Sequence, residues 1–285
     1  MSDADNPIRN ISDTARWAAV YRARETERAD AVFLDPLARK LAGERGERIA
    51  STMAFSDQNA WSWIARTYLF DQYVAQQVTH GTDMVVNLGA GLDSRPYRMK
   101  LPPTLKWIEV DLPEILEYKR EILRDEKPAC VVERISIDLS NESCRRSLFA
   151  DLGGRARNAL IITEGFITYL SADQVAQLAK DLAAAAGFTH WVLDLASPGL
   201  LELLQKNMNQ QLEQSGSRLQ FGPAEGPGFF QPHGWKPVGV RSLLKTAASL
   251  KRLSLKMRLI SLLPESKGRQ GKRPWAGVCL LALQT

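Results

Sequence analysis

Between Met84 and Arg98 the chain reads MVVNLGAGLDSRPYR, an apolar strand-like run that empties into Gly89-Ala90-Gly91. Glycines in such a turn let the backbone fold back tightly and leave room for a ligand against it. Asp111 closes a second short apolar run, Trp107-Ile108-Glu109-Val110, at the offset of roughly 20 residues where a carboxylate meets ribose hydroxyls. This spacing suits an adenosine-containing cofactor, although a third glycine of the dinucleotide pattern is missing and a ligand-free β-to-α turn would use the same residues. Glu164-Gly165 follows the apolar run 159–163, and a carboxylate at the C-terminal edge of a central strand faces the crevice where open α/β sheets bind ligands. Asp138-Leu139 can contact an adenine amino group and its flank, or cap the helix that Ser140, Asn141 and Glu142 announce. Arg66 can hold a ligand carboxylate bidentately, or simply pair with Asp71 on its own helix. Of the three histidines, His233 in the aromatic loop 229–234 is the one placed to face a substrate as a base, though a lone loop histidine is more often a surface residue.

Positioning these groups requires strands that alternate with helices. Residues 84–88, 107–111, 131–139, 159–163 and 191–195 read as strands, and the continuous apolar character of 159–163 is that of a strand buried on both faces. Residues 235–240 and 275–283 add two more, one of them expected antiparallel at the sheet edge. Helices are expected over 13–41 with a break at Asp35-Pro36, then over 57–79, 113–125, 200–212 and 242–257. Another runs from Ser171, whose capping box with Gln174 starts it, to Ala186. Residues 1–10 are expected to fray. Residues 199–234 break the rhythm, and the aromatic, glycine-rich stretch 221–230 has the composition of a lid over a substrate. The pattern is a doubly wound α/β fold.

Composition narrows the function classes. The 285 residues are 45% hydrophobic, ordinary for a chain that buries a sizeable core in one elaborated domain. No apolar run approaches the roughly 20 residues of a membrane span, and Asp3 and Asp5 do not fit a signal peptide, so a cytoplasmic location is expected. Cys130, Cys144 and Cys279 are an odd, widely spaced set, which points to neither a disulfide framework nor a metal site. The net charge of +5 gathers near the C-terminus, from Lys245 to Arg258 and from Lys267 to Arg273. A solvated helix face and loop account for it, and neither a nucleic acid nor a membrane is expected as partner.

Asn87 to Arg95, Glu109 to Pro113, Glu164-Gly165 and Tyr169-Leu170 together resemble the leucine carboxyl methyltransferase family of S-adenosylmethionine-dependent O-methyltransferases. Arg22 to Glu25, Asp35-Pro36 and Ala65 to Thr67 fall in order where that family has similar signatures, so the likeness runs from about residue 14 to 195 and more weakly to the end. The resemblance implies a class I methyltransferase fold with a seven-stranded sheet whose last strand is antiparallel. It divides a single domain into a helical N-terminal extension (1–80), a cofactor-binding core (81–198), a substrate-side insertion (199–234) and closing elements (235–285). S-adenosyl-L-methionine is the implied cofactor. Arg66 is similar to the family arginine that holds the methionine carboxylate, with Arg22 a second contact. Gly89, Ala90 and Gly91 correspond to the turn under the cofactor, Asp111 and Leu112 to the ribose site, Asp138 and Leu139 to the adenine site, and Glu164 and Gly165 to the pocket wall. Tyr169 falls on the substrate side. Asp93 and Arg95 belong to the same signature, or form a structural ion pair that fixes the turn.

A sulfonium methyl group is already activated, so an enzyme of this kind has mainly to align an acceptor oxygen and exclude water. A carboxylate acceptor, ionised at neutral pH, needs no base, whereas an alcohol or phenol benefits from one. Family members methylate a protein C-terminal carboxyl, a tRNA-modification intermediate or small molecules. A small-molecule carboxylate or hydroxyl is expected here, with protein-terminus methylation, or a cofactor-binding module without turnover, as the other readings.

Overall fold

The computed structural model describes residues 11–52, 58–213, 218–265 and 269–284. The expectation for residues 1–10 lies outside them. Three helices precede the sheet: α1 (Ile11–Thr26), α2 (Ala38–Thr52) and α3 (Ala60–Thr79). Then come β1 (Met84–Leu88), the short α4 (Arg95–Arg98), β2 (Lys106–Asp111), α5 (Pro113–Ile122), β3 (Val131–Ser136), α6 (Glu142–Arg155), β4 (Ala159–Thr163), α7 (Ala172–Ala183) and β5 (Phe188–Ala196). Next are α8 (Pro198–Glu213), a 3-10 segment (Gly226–His233), β6 (Trp235–Ser242), α9 (Leu243–Ser249), α10 (Leu255–Ser261) and β7 (Ala276–Leu283).

The strands form one seven-stranded sheet in the order β3-β2-β1-β4-β5-β7-β6. Strands β1 to β5 are parallel, and β7 runs antiparallel between β5 and β6. Side-chain alternation assigns the two faces. Val86, Ile161, Trp191 and Cys279 look toward α6, α7 and the 3-10 segment, while Val85, Leu160, Val192 and Leu280 look toward α3 and α9. A third cluster, centred on Trp17, Val20, Leu41 and Ile115, seats α1 and α2 against α5. The chain crosses from one side of the sheet to the other between β1 and β4, so the crevice at their C-terminal ends is the topological switch point of the fold.

Several expected boundaries move, for local reasons. The first helix stops at Thr26, where the Thr26 hydroxyl bonds back to the Arg22 carbonyl and accepts from the Asp35 amide. Residues 27–37 then turn, and Asp13 lies inside the first helix, paired with Arg45. The expected helix 242–257 is two helices. Lys251 sits at a φ of 58° between them and Ser254 caps the second, its hydroxyl accepting from the Met257 amide. The Ser171–Gln174 capping box forms as expected.

Candidate active site

The C-terminal ends of the parallel strands open into a cavity of about 870 Å3. That lies toward the top of the roughly 300–1,000 Å3 range of small-molecule sites. Gly89, Gly91, Asp111, Leu112, Asp138, Leu139, Glu164, Gly165, Tyr169 and Arg66 all contribute to its wall. Residues that the sequence separates by more than 100 positions thus converge on one crevice.

The floor is the turn after β1. Gly89 and Gly91 have φ values of 65° and 44°, and a Cβ at Gly89 would lie 2.6 Å from the Phe166 ring, so both the conformation and the space require glycine. Asp111 pins this turn: Oδ2 accepts from the Gly91 amide at 2.6 Å and Oδ1 from the Leu112 amide at 2.8 Å. Burial pushes the Asp111 carboxyl above the usual range, and the two amides pull it partly back. An ionised carboxylate accepts about four hydrogen bonds, so capacity remains for ribose hydroxyls.

Arg66 projects from α3 across the sheet. Its Nε donates to Glu164 at 3.1 Å and its Nη1 to Asp194 at 3.3 Å, and its guanidinium lies 4.6 Å from the Trp63 ring centre. Burial opposes its charge, but the two carboxylates outweigh burial and keep Arg66 protonated. Pairing with Asp71 does not occur; Asp71 binds Arg95 and Arg98. Glu164 is shared, since its other oxygen meets Arg95 at 2.8 Å. Asp93 and Arg95 form the structural pair that the turn allowed, at 2.9 Å, and Asn87 donates to the same carboxylate.

Asp138 does not cap α6; Asn141 does, and the Ser140 hydroxyl and amide both donate to Asp138, which holds its carboxyl below the usual range. Tyr169 stands near Arg66, and burial pushes its phenol above 10, so it is a neutral donor at physiological pH.

Three expected site residues lie elsewhere. Arg22 is absent from the cavity wall: its Nε bonds Asp35 at 2.8 Å and its Nη2 the Leu92 carbonyl at 2.6 Å, which ties α1 to the glycine turn. Ala90 is buried beneath that turn, its amide donated to Val110. His233 sits at the opposite edge of the sheet. Because β6 is parallel to β5, its first residue, Trp235, lies level with the start of β5 and far from Glu164 and Asp194. His233 packs on Phe229, and burial together with Lys180 depresses its basicity. The stretch 221–230, expected as a lid, divides: Phe221 lines the cavity, while Phe230 is buried against Trp191 and Phe229 packs on both phenylalanines in the core under the sheet. The cavity is roofed instead by α8, through Leu200, Leu203 and Leu204, and by α10.

Asp194 was missed. The signal was present, an acid near the C-terminal end of an apolar strand, the same signal that singled out Glu164. Burial and the nearby Glu164 push its carboxyl up, while Arg66 and the Gly165 amide, 2.7 Å away, oppose that. Trp63 and Phe166 carried no signal, because only the fold brings them to Arg66 and Gly89.

The sequence pattern of the leucine carboxyl methyltransferase family matches residues 15–183, which cover most of α1, all of α3 and the ends of β1 to β4, and stop short of Asp194 in β5. The chain belongs to that family. A relative from Streptomyces coelicolor, named provisionally as an S-adenosyl-L-methionine-dependent methyltransferase, is 32% identical over 78% of this chain and 82% of its own. One from Frankia alni with the same kind of name is 30% identical over 84% and 88%. Among solved structures, a Thermobifida fusca protein provisionally named a methyltransferase superposes with a TM-score of 0.59 at 18% identity, covering 99% of this chain and 97% of its own. A DUF574-family protein from Streptomyces avermitilis gives 0.57 at 12% identity over 95% and 97%. Both share the fold described above.

Proposed function

We propose that this S-adenosylmethionine-dependent methyltransferase places the methyl group on an oxygen of a small-molecule acceptor, a carboxylate first of all. Methyl transfer from S-adenosylmethionine follows from the family. The residues present suit that cofactor by their own chemistry. Glu164 and Asp194 flank the Arg66 guanidinium, and Asp111 and Asp138 add two more carboxylates to the same wall, so this end of the cavity favours a ligand carrying positive charge, and Arg66 can hold its carboxylate tail. In this reading Asp111 receives ribose hydroxyls, and Asp138 and Leu139 border the adenine. The cofactor supplies a methyl group activated by positively charged sulfur. The chain has to hold the acceptor beside it and keep water away.

The observation that carries the acceptor assignment is the rest of the wall. Beyond the polar end it is apolar, formed by Trp61, Leu200, Leu204, Leu219, Phe221 and Met257, and among the described residues of the wall there is no histidine. A carboxylate acceptor loses no proton and needs no base there. A hydroxyl acceptor is the second reading, favoured by Asp194, whose raised carboxyl would accept a proton more readily than an ordinary aspartate.

The test is to incubate the protein with methyl-labelled cofactor and a host extract, then follow the label by mass spectrometry and mild alkali. A methyl ester releases labelled methanol, and its formation rate stays flat from about pH 6 to 9 because no base titrates. Label that survives alkali, with a rate that follows one ionisation and is lost in Asp194→Asn, overturns the carboxylate in favour of the hydroxyl. Label in the protein fraction overturns the small-molecule reading.

A further inference from the structure

Helix α10 carries apolar residues on two faces. Met257 and Ile260 turn inward to the cavity wall. Leu255, Leu259 and Leu262 follow the i, i+4, i+7 spacing of a single helical stripe, are 79%, 69% and 80% exposed, and contribute nothing to the wall. Leu263, 51% exposed, joins that stripe to the cavity mouth. Lys256 and Arg258 flank the leucines, and both are exposed.

The C-terminal segment that carries this stripe is one-sided in charge. Residues 226–285 hold 11 Lys or Arg and a single acid, Glu265, whereas the rest of the chain is net negative. Arg252 is committed to Glu25 and Asp30, but among the described residues Lys251, Lys256, Arg258, Lys272 and Arg273 make no ion pair. We propose that α10 is a docking face for an anionic lipid surface, its leucine stripe entering the interface and the surrounding cations meeting the headgroups. An apolar stripe with basic flanks is what holds a helix in the plane of such an interface. A nucleic acid would match the charge but not the exposed leucines. A second copy in a two-fold dimer would set the same cations against one another. In the docked pose the cavity mouth faces the lipid, which favours an acceptor with an alkyl chain; that clause alone rests on the methyl-transfer reading.

The experiment is co-sedimentation with phosphatidylcholine vesicles, with and without roughly one-third phosphatidylglycerol. The wild-type protein is expected to sediment with the anionic vesicles only. Leu255→Ser/Leu259→Ser/Leu262→Ser should weaken this by about tenfold or more. Lys256→Glu/Arg258→Glu should weaken it comparably and flatten the dependence on salt. Both variants should keep wild-type cofactor affinity by calorimetry, so a failure of the methyltransferase reading shows there and not in the pellet. Failure of the wild-type to sediment, or sedimentation that the leucine variant leaves unchanged, overturns the proposal. Concentration-dependent dimerisation abolished by that variant, without vesicle binding, assigns the stripe to self-association.

Discussion

Arg66 is the residue on which the polar half of the site turns. One guanidinium faces Glu164 and Asp194 at once, and Glu164 is itself tied to Arg95 behind it. The arrangement keeps Arg66 charged and aimed before any ligand arrives, with donors to spare among its five N–H groups. Removing it leaves Asp194 without its cation and Glu164 with Arg95 alone. Hydrogen bonds to charged groups contribute about 1.5–3 kcal/mol, so Arg66→Ala should weaken S-adenosylmethionine about 10- to 100-fold in calorimetry. Arg66→Lys should recover only part of this, since an ammonium cannot match the planar fork. Wild-type affinity in Arg66→Ala would remove this residue from the cofactor site. His233→Ala, by contrast, should leave turnover and its pH profile unaltered, because His233 lies at the far edge of the sheet.

At the scale of elements, the link between β1 and α4 is held by charge more than by apolar packing. Asp93 accepts from Asn87 in β1 and from Arg95 in α4, while Arg95 and Arg98 reach Asp71 on α3. Burial raises the Asp93 carboxyl, but Arg95, Lys119 and Arg98 outweigh it and hold it at about 2, below the ordinary 3.8. A group depressed on folding stabilises the fold fully above its unfolded value, and that contribution disappears as pH falls from 3.8 toward 2. Its size is on the order of 2 kcal/mol. Melting temperature followed across that window should therefore fall more steeply in the wild-type protein than in Asp93→Asn, which starts lower at neutral pH. Parallel curves would show that Asp93 is not what acid releases. Cysteines divide by element in the same way. Burial lifts the Cys130 thiol to about 11 and Cys279 higher still, whereas Cys144 on α6 is exposed, so a thiol reagent should label one cysteine quickly in the native state.

For the whole molecule, the cavity is the place where separate layers meet. Trp17 and Thr14 come from α1, Arg66 from α3, Asp111 and Glu164 from the sheet, and Leu204 from α8. A ligand that bridges them stabilises all of them together. S-adenosylmethionine at 100 times its dissociation constant should add ~2.7 kcal/mol and raise a single melting transition by roughly 5 °C. Scanning calorimetry in which only part of the transition moves would mean that the N-terminal helices melt apart from the sheet.

How much of this was legible in advance depended on distance along the chain. Strands β1 and β4 were readable from continuous apolar runs, Asp111 from its offset after the glycines, and the α7 start from its capping box, because each signal is local. Nothing local distinguished the two directions in which 235–240 could enter the sheet. That choice fell to β7, which inserts antiparallel between β5 and β6 and so carries His233 to the wrong edge and Phe230 into the core. The partner of Arg66 was likewise undecided, since Asp71 is close in sequence while Glu164 and Asp194 are close only once α3 packs across the strand ends. By itself the amino-acid sequence determined the alternation of elements, the glycine turn and which acids end which strands, through periodicity and backbone sterics. Strand direction, the partners of each buried charge and the outward face of α10 were decided by tertiary structure alone, because each depends on what long-range packing leaves beside a residue.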